Sequence, residues 1–363
     1  MQVKAAVLRD PAGAYAIEDV ELAAPAADEV LVRVVGAGMC HTDVLPRTGL
    51  IAPPPIITGH EGAGVVEAVG ADVVGVQVGD HVVLSFDSCG VCANCQKDQP
   101  AYCDTFMARN LFGMKLDGTS PVSDADGKPV AARWFGQSSF ASHCIATARN
   151  VVVVDKSLPL DQLGPLGCVI QTGAGSILCA MDVQPGSSLV VFGAGAVGLA
   201  AVMAGKVAGA TTIIAVDLQP HRRDLSLELG ATHALDGADA DIVAKIHEIT
   251  GGGANYAFDT TGIPAVIKNG LIGLKMTGVM GLVGVQQGDL VLDSSSWIGK
   301  TMINILEGSA KPQDFIPRMI QLWQNGRFPF DRLIETDPMS KINEAEQSSL
   351  SGGTIKPVLI PGS

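Results

Sequence analysis

The sequence predicts an α/β fold in two domains, a β-rich part that holds most of the cysteines and a doubly wound parallel sheet. Three observations lead to this prediction. The length of 363 residues exceeds what one ordinary hydrophobic core supports. The first 35 residues run in valine, leucine and alanine between turn residues, whereas strand, turn and helix alternate after Gly186. The 43 glycines and the low charged fraction of 17% are typical of a protein with many tight βα turns.

Composition and charge argue against several classes of partner. The net charge of −13 disfavours a nucleic-acid partner, which binds through a basic face. The N-terminal residues contain no long apolar core, so no secretory signal is expected. The longest uncharged run ends at Gly205, is rich in glycine and alanine, and follows a Pro-Gly turn. This favours strand, turn and helix over a membrane span, and we expect a cytoplasmic protein without a membrane partner.

The first part of the chain brings zinc-ligand residue types into tight turns. We predict strands over residues 29–35, 64–70 and 80–84 and a short helix over 43–50. Cys40 and His60 are ligand types that Zn²⁺ prefers, and a catalytic zinc needs three protein ligands and one open position. Cys168 is a candidate for the third ligand, although a lone thiol among apolar residues is also typical of an inert buried cysteine. Cys144 and Cys179 are assigned to packing.

Four further cysteines form a compact motif, Cys89, Cys92, Cys95 and Cys103. Their spacing allows four thiolates to surround one tetrahedral ion. Such a site is structural, because it leaves no position for water and holds together a loop without its own core. An iron–sulfur cluster and a chance grouping are the alternatives.

A nucleotide-binding fingerprint begins after Gly186. Its predicted parts are a strand over 188–192, the glycines Gly193, Gly195 and Gly198, a helix over 199–207, a strand over 212–216 and then Asp217. A lone G-x-G-x-x-G is a weak signal, but this one follows a strand, opens a helix and meets an acid 19 residues after Gly198. These glycines let a pyrophosphate approach the helix N-terminus. Asp217 suits ribose hydroxyls and repels a 2′-phosphate, which favours NAD over NADP, although nearby Arg222 partly offsets that repulsion.

The alternation continues through the rest of the second domain. We predict helices over 225–229 and 242–250 and strands over 230–235, 256–259 and 279–284. The chain then leaves this pattern near residues 301–306. A helix over 315–323 and a strand over 353–360 complete it, and that last strand is expected to return to the first domain. His221, His233 and His247 have no clustered ligands nearby, so surface or packing roles are assigned to them.

Together these motifs resemble the zinc-dependent medium-chain alcohol dehydrogenases over essentially the whole chain. The resemblance rests on residues 38–43, 59–61 and 167–168, on the four-cysteine motif and on the nucleotide fingerprint, in the family's order and spacing. Residues 137–141 and 163–175 look most like the aryl-alcohol (benzyl alcohol) dehydrogenases. The resemblance implies a GroES-like catalytic domain over 1–169 and 307–363, carrying both zinc sites, and a Rossmann NAD-binding domain over 170–306.

The same resemblance implies roles around the metal ions. The implied ligands are Cys40, His60 and Cys168 for a catalytic zinc and Cys89, Cys92, Cys95 and Cys103 for a structural zinc. Glu61 would lie behind the catalytic metal or occasionally bind it. Asp43 would orient His60 by accepting the other ring N–H. Thr42 would hydrogen-bond the substrate hydroxyl and take its proton.

Cofactor-binding residues are also implied by the resemblance. They are His41, Thr172, Gly193, Gly195, Val197, Gly198, Asp217, Arg222, Val283 and Lys356. Within this set His41 and Lys356 would reach the cofactor pyrophosphate, while Thr172 and Val197 would press on the nicotinamide.

The implied activity is reversible hydride transfer from a primary aryl or allylic alcohol to NAD, giving the aldehyde. The alternatives are a thiol-adduct (glutathione or mycothiol) formaldehyde dehydrogenase, a long-chain aliphatic alcohol dehydrogenase, and a non-catalytic nucleotide-binding protein. For the thiol adduct, Arg109 is a loose candidate to hold the carboxylate. Phe86, Phe106 and Phe112 line the substrate pocket by resemblance or belong to the ordinary core.

Two features bear on proton release and assembly. Many family members carry a histidine five residues after the first zinc cysteine, and here that position is Leu45, so His41 or water must finish the proton relay. The apolar segments 279–285 and 302–306 could pair between subunits. A homo-oligomer, either a tetramer or a dimer, is therefore expected.

Overall fold

The chain contains three β-sheets in its computed structural model, which describes residues 1–49 and 51–362. The described residues divide into two units. The first comprises Met1–Cys168, Lys311–Pro317 and the residues from Asp331 onward, and the second comprises Val169–Ala310 and Arg318–Phe330. The predicted combination of a Rossmann-type parallel sheet with a β-rich part is confirmed.

The first unit is built on a seven-stranded sheet and a smaller four-stranded sheet. The strands of the large sheet lie, from edge to edge, in the order Ile334–Pro338, Lys356–Ile360, Glu29–Gly38, Gly62–Val69, His81–Leu84 and Val151–Val154, with His143–Thr147 paired to Glu29–Gly38. The small sheet contains Gln2–Leu8, Tyr15–Leu22, Val122–Ser123 and Pro129–Val130. Val358 pairs antiparallel with Gly38, so the last strand does return to the first unit, as expected.

The second unit is built on a six-stranded parallel sheet. From edge to edge its strands are His233–Asp236, Thr212–Asp217, Ser188–Phe192, Ala254–Asp259, Leu274–Leu282 and Thr301–Asn304. The order reverses at Ser188–Phe192, where ligands bind in open α/β sheets. The prediction that the chain leaves the sheet near 301–306 is wrong, because Thr301–Asn304 pairs in parallel with Leu274–Leu282. It is a short strand of four residues with mostly exposed side chains, which is typical of a sheet edge.

The helices follow the predicted alternation with longer bounds. The α-helices are Ala93–Gln96, Phe106–Leu111, Leu160–Leu163, Val169–Gly175, Ala196–Ala208, Pro220–Leu229, Ile242–Thr250, Pro264–Gly273, Ser294–Trp297, Pro312–Gln324 and Ile342–Ser351. Short 3₁₀ segments include His41–Thr48, Trp134–Gly136 and Gly164–Gly167. The helix predicted over 43–50 is this 3₁₀ segment His41–Thr48, and Leu50 lies outside the described residues.

The second unit also takes a short segment from the C-terminal part of the chain. The sequence predicts that 307–363 belongs entirely with the first domain, whereas Arg318–Phe330 lies in the second unit. Within that segment the rings of Trp323 and Phe330 pack with their centroids 5.2 Å apart. This aromatic contact holds two parts of the segment together. No periodic pattern in the sequence predicted it.

No single helix among residues 1–49 and 51–362 combines the length and the hydropathy needed to cross a membrane. One bent pair, Leu160–Gly167 followed by Val169–Ala180, passes by length and composition alone.

A partly buried ion pair anchors the 3₁₀ segment that carries the first candidate site residues. Arg47, near its end, donates from Nε and Nη2 to the two carboxylate oxygens of Glu346, at 2.9 and 2.7 Å. Nη1 of Arg47 also donates to the carbonyl oxygens of Pro11 and Gly13. Arg47 thereby ties His41–Thr48 to the helix Ile342–Ser351.

We expect Arg47→Lys to lower the free energy of unfolding by about 1–3 kcal/mol, because an ammonium cannot form the paired hydrogen bonds of a guanidinium. Arg33→Lys is the matched control: Arg33 pairs with Glu67 at the surface, with side chains 47% and 38% exposed. Its replacement should cost less than about 1 kcal/mol. Urea unfolding followed by circular dichroism measures both, and equal losses would contradict the anchoring role of Arg47.

Candidate metal and nucleotide sites

The Asp43 carboxylate connects the two parts of the chain that hold the first candidate ligands. It is fully buried, and its oxygens accept the backbone N–H of Cys40 at 3.0 Å and that of Gly59 at 2.9 Å. The same carboxylate lies 2.9 Å from Nδ1 of His60. An ionised carboxylate can only accept here, so Nδ1 of His60 carries a proton, and Nε2 is the ring nitrogen left to bind a metal ion.

Four buried side chains converge beyond that carboxylate: Cys40, His60, Glu61 and Cys168. One ligand atom from each lies within 4.8 Å of the others. The Nε2 atom of His60 is buried and has no hydrogen-bond partner among the described residues. A buried lone pair beside two sulfur atoms fits a zinc ion, for which two thiolates, one imidazole and an open position are a known catalytic set.

The surroundings of this cluster favour its ligand forms. The hydrogen bond from Cys168 lowers the pKa of the Cys40 thiol well below its usual range and outweighs the effect of burial. Burial opposes a charge on His60, yet the nearby Asp43 and Cys40 raise the pKa of its imidazole well above the usual value. A cation at Nε2, either a proton or a metal ion, is therefore stabilised by the anionic groups around it.

Lys356 occupies a place that differs from its predicted role at the cofactor pyrophosphate. Its side chain is 2% exposed, and Nζ donates to Oε2 of Glu61 at 2.9 Å and to the carbonyl oxygen of Met39 at 2.6 Å. Burial lowers the pKa of this ammonium, but the charges of Glu61 and Cys40 more than reverse the effect. The buried ion pair corrects the expectation, because the lysine is too short to satisfy Glu61 and also reach outward.

The four-cysteine motif also closes in space. The sulfur atoms of Cys89, Cys92, Cys95 and Cys103 lie within 4.8 Å of one another, and all four thiols are free. Backbone N–H groups of Val91 and Cys92 donate to the Cys89 sulfur and lower the pKa of that thiol. Sulfurs at this separation fit bonds of about 2.3 Å to a single central ion and leave no space for a multi-iron cluster. The arrangement therefore suits one structural zinc.

The nucleotide fingerprint forms the turn between Ser188–Phe192 and Ala196–Ala208. Gly193 has a φ of +88°, a left-handed conformation that glycine adopts without strain. A Cβ at Gly198 would lie 1.8 Å from the carbonyl oxygen of Gly193, whereas a Cβ at Gly195 would meet no atom within 4 Å. The open space at Gly195, at the start of a helix, fits the close approach of a phosphate group to the backbone.

Asp217 lies at the end of its strand, beside this turn. Its Oδ2 accepts the backbone N–H of Ala194 at 2.7 Å, and its Oδ1 accepts that of Gln219 at 2.8 Å. The guanidinium of Arg222 lies 4.0 Å from Oδ2, and its Nε is buried without a hydrogen-bond partner among the described residues. Asp217 and Arg222 are thus neighbours, and Asp217 also holds the glycine turn in place.

Other predicted cofactor residues lie near the same turn. Thr172 is half-buried on the helix Val169–Gly175, and this helix approaches the fingerprint helix so closely that a Cβ at Gly173 would lie 2.1 Å from the carbonyl oxygen of Val197. Val283 is half-buried directly after the strand Leu274–Leu282, and its N–H donates to the carbonyl oxygen of Asp259.

The remaining candidates of the first unit lie on the 3₁₀ segment His41–Thr48. His41 is exposed, Thr42 is half-buried, and Leu45 is half-buried against the apolar core. Residues three apart eclipse one another on a 3₁₀ helix, so Leu45 lies over Thr42.

Aromatic side chains extend from the metal cluster into the core. The ring of Phe135 stacks on the imidazole of His60 at 4.3 Å, and it contacts Phe106, which packs on Phe86. Phe112, predicted as a third pocket residue, is 58% exposed and takes no part in this chain of ring contacts. Phe135 itself was missed, because a single aromatic residue before a glycine gives no periodic signal.

Three further residues contact candidate site residues or their backbone, and none of them gives a clear sequence signal. Gln137 donates to the carbonyl oxygen of His60 and accepts the N–H of Gly62, and Thr260 donates to the carbonyl oxygens of Phe192 and Gly193. The third is Asp87, to which Arg109 is tied at 3.0 Å. Arg109, the candidate for holding a thiol-adduct carboxylate, is therefore already paired with an acid.

Both halves of the chain match known protein families. Residues 26–156 match the family described as Alcohol dehydrogenase GroES-like domain, and residues 196–325 match the family described as Zinc-binding dehydrogenase.

Individual relatives cover almost the whole chain. A geraniol dehydrogenase of Castellaniella defragrans is 45% identical over 99% of this chain and 98% of its own length. Among solved structures, an alcohol dehydrogenase zinc-binding domain protein from Burkholderia ambifaria is 49% identical, with a TM-score of 0.97 over 99% of both chains. A benzyl alcohol dehydrogenase from Acinetobacter calcoaceticus is 42% identical, with a TM-score of 0.96 over 100% of both chains.

We expect Gly195→Ala to lose affinity for NADH and Gly198→Ala to lose stability. The added methyl of Gly195→Ala projects into open space, so the thermal unfolding midpoint should stay unchanged while the affinity for NADH falls about tenfold or more. Gly198→Ala forces a methyl onto a carbonyl oxygen and should lower the unfolding midpoint itself. Differential scanning fluorimetry and NADH fluorescence titration measure these quantities. Unchanged NADH affinity in Gly195→Ala would contradict the assignment of the turn.

Proposed function

The chain belongs to the zinc-binding alcohol dehydrogenase family, and from that premise we propose that it oxidises primary aryl or allylic alcohols to aldehydes with NAD. The reaction is a reversible hydride transfer from the carbinol carbon to the nicotinamide. The observation that best supports the proposal is the buried, unpartnered Nε2 of His60 beside the sulfur atoms of Cys40 and Cys168. This arrangement suits a catalytic zinc with an open position for an alcohol.

The substrate class is inferred from relatives and from aromatic side chains. One relative is named for geraniol, an allylic alcohol, and one solved structure is named for benzyl alcohol, an aryl alcohol. Near the metal cluster, Phe86, Phe106 and Phe135 form continuous ring contacts that suit a flat or unsaturated apolar group. Phe135 joins the two proposed pocket residues to His60.

Cys40, His60 and Cys168 would hold the catalytic zinc, and the four-cysteine motif would hold the structural one. When bound, the catalytic ion acts as a Lewis acid that lowers the pKa of the alcohol. Asp43 keeps the His60 ring in the tautomer that a metal ligand needs. Lys356 holds the Glu61 carboxylate, and this favours a position for Glu61 behind the metal over direct ligation.

Proton movement falls to the 3₁₀ segment next to Cys40. The Thr42 hydroxyl would accept the proton of the substrate hydroxyl. Leu45 eclipses Thr42 and has no group that can carry a proton, so His41 or water would take the proton onward. The buried rings of Phe106 and Phe135 would exclude water from the apolar side of the cluster.

NAD would bind along the glycine turn of the second unit and supply the hydride acceptor. The backbone N–H groups at the start of Ala196–Ala208 would hold the pyrophosphate. Asp217 would accept hydrogen bonds from the adenosine ribose hydroxyls, with Arg222 beside it. Thr172 and Val197 would contact the nicotinamide, as the family resemblance implies, and Val283 would also contact the cofactor.

We further infer that the chain assembles with copies of itself. The strand Thr301–Asn304 is an edge of the parallel sheet, with exposed side chains and its outer hydrogen-bonding groups unpaired by a neighbouring strand among the described residues. Large apolar side chains are exposed in the same region, namely Val285, Val291, Trp297, Ile298, Met302 and Leu306. An open apolar edge of this kind is usually covered. The cytoplasmic location expected from the sequence remains a prediction.

The activity is tested with a panel of alcohols and both cofactors. Zinc-loaded protein should oxidise benzyl alcohol, cinnamyl alcohol and geraniol with NAD, and kcat/KM for each should exceed that for ethanol at least about tenfold, because each carries more apolar surface into the pocket. Hexanol and decanol test the long-chain aliphatic alternative, which a higher kcat/KM for these alcohols than for the aryl and allylic ones would indicate. A preference for ethanol with NADP contradicts both specificity assignments.

The same assay separates the rival activities. Formaldehyde oxidation that requires added glutathione or mycothiol would establish the thiol-adduct alternative. NADH binding without oxidation of any alcohol would establish the non-catalytic one.

We expect Thr42→Ala to lower kcat about 100- to 10,000-fold, because it removes the group that accepts the substrate proton. Thr42→Ser keeps a hydroxyl at the same position and should retain most of the activity. Zinc content, measured by atomic emission, should match the wild type in both variants. Near-normal kcat in Thr42→Ala would exclude the proposed proton acceptor.

Light scattering coupled to size-exclusion chromatography tests the assembly. The measured mass should be two or four times the chain mass of 37.4 kDa. Met302→Lys, on the edge strand, should shift that mass toward the monomer, because a charge buried at the interface opposes pairing between two chains. A monomeric wild-type protein would refute the inference.

A further inference from the structure

The segment from Arg133 to Phe140 has an unusual backbone next to the candidate metal cluster. Phe135, Gly136 and Ser138 all have left-handed φ values, of 49°, 68° and 53°. Only glycine adopts this conformation readily, so two residues of this short stretch are strained. Strain of this kind persists only where surrounding contacts enforce it, and it is concentrated at functional sites.

The contacts that enforce the strain lie on the loop of His60. The backbone N–H of Ser139 donates to the carbonyl oxygen of Gly59 at 2.8 Å, and that of Phe140 donates to Thr58 at 3.1 Å. The hydroxyl of Ser138 donates to the carbonyl oxygen of Ile57 at 2.7 Å. Hydrogen bonds therefore hold the strained segment to residues 57–59, which directly precede His60 in the chain.

Gln137 binds the backbone of the His60 loop directly. Its side chain is 1% exposed. Nε2 donates to the carbonyl oxygen of His60 at 2.9 Å, and Oε1 accepts the N–H of Gly62 at 3.0 Å. Nε2 also lies 3.2 Å from the carbonyl oxygen of Ser85. This buried amide thus fixes the main chain on both sides of Glu61.

Phe135 contacts the imidazole itself. Its ring and that of His60 are stacked, with centroids 4.3 Å apart and an interplanar angle of 22°. The carbonyl oxygen of Phe135 is held by Nδ2 of Asn150 at 3.0 Å. Asp43 restrains the imidazole at Nδ1, in the plane of the ring, whereas a stacked ring restrains its tilt out of that plane.

We propose that Phe135 and Gln137 are positioning residues for His60, which together with Asp43 fix the direction in which Nε2 meets the metal ion. Gln137 fixes the main chain, Phe135 fixes the tilt of the ring, and Asp43 fixes its rotation. The left-handed backbone at Phe135 places its ring against His60. This inference rests on the proposed binding of the catalytic zinc by Cys40, His60 and Cys168.

The test measures zinc release from the full-length, zinc-loaded protein to a chromogenic chelator. The four-cysteine site serves as an internal reference. Cys40→Ser removes the His60 site, so the zinc release that remains in this variant comes from the four-cysteine site. Phe135→Leu and Gln137→Met should speed release from the His60 site about tenfold or more, the usual effect of losing a group that orients a metal ligand. Release from the four-cysteine site should not change.

Two variants control for general loss of packing or hydrogen bonds. Phe328→Leu removes an equally buried ring from the second unit. Asn110→Leu removes a buried amide that makes three hydrogen bonds, to the N–H and carbonyl groups of Asp87 and to the carbonyl of Phe106. Both should leave release from the His60 site at the wild-type rate. Phe135→Tyr keeps a stacked ring and should restore slow release.

A spectroscopic measurement tests geometry independently of activity. With Co²⁺ at the His60 site, Phe135→Leu should alter the visible ligand-field bands, whereas Phe135→Tyr and Phe328→Leu should not. If Gln137→Met does not fold, Gln137→Glu replaces it, because Glu still accepts from Gly62 but cannot donate to His60.

The outcomes separate the two levels of inference. If Cys40→Ser leaves the zinc content unchanged, the proposed metal assignment is wrong. If Cys40→Ser removes one zinc per chain but Phe135→Leu and Gln137→Met release zinc and bind Co²⁺ as the wild type does, the metal assignment stands and the positioning role is refuted. Equal acceleration in Asn110→Leu also refutes it.

Discussion

The Asp43 carboxylate is the constraint on which the rest of the candidate metal centre depends. It is fully buried and accepts hydrogen bonds from two backbone groups and one imidazole, which belong to separate stretches of the chain. Burying a carboxylate costs free energy unless its oxygens accept hydrogen bonds. Moving the turn at Cys40 away from the turn at Gly59 would break these hydrogen bonds and destabilise the fold. The same carboxylate that joins the turns also selects the tautomer of His60. One carboxylate therefore stabilises the local fold and also determines which nitrogen of His60 can bind a metal ion.

The second unit depends on a comparable backbone constraint at the reversal point of its sheet. Asp217 holds the N–H of Ala194, and Thr260 holds the carbonyl of Gly193, so acids and hydroxyls from two neighbouring strand ends fix the glycine turn. Beside this turn the space over Gly195 is open, with no atom within 4 Å of the place that a Cβ would occupy. Here too, side chains that look like ligand-binding groups first determine the shape of the backbone.

The sequence predicted those parts of the sites whose residue types are chemically rare and regularly spaced. The four cysteines lie together, as do Cys40 and His60. The fingerprint glycines form the turn between a strand and a helix, as their spacing predicted. The outward role of Lys356 was wrong, because a one-dimensional pattern does not show that Glu61 lies within reach. Thr301–Asn304 was missed as a strand, since it is only four residues long and has a polar residue at each end. Phe135 and Gln137 were missed because their importance arises only from contacts between distant segments.

The ion pair between Lys356 and Glu61 joins residues 295 positions apart, within a unit whose first part is made long before its last strand. At translation rates of about 5–20 residues per second, Glu61 waits on the order of 15–60 seconds for its counter-ion to be synthesised. During that interval its burial would leave an uncompensated charge, which is strongly unfavourable. The candidate metal centre therefore reaches its final form only after Lys356 has been synthesised. The parallel sheet, whose six strands are contiguous in the chain, can close before it.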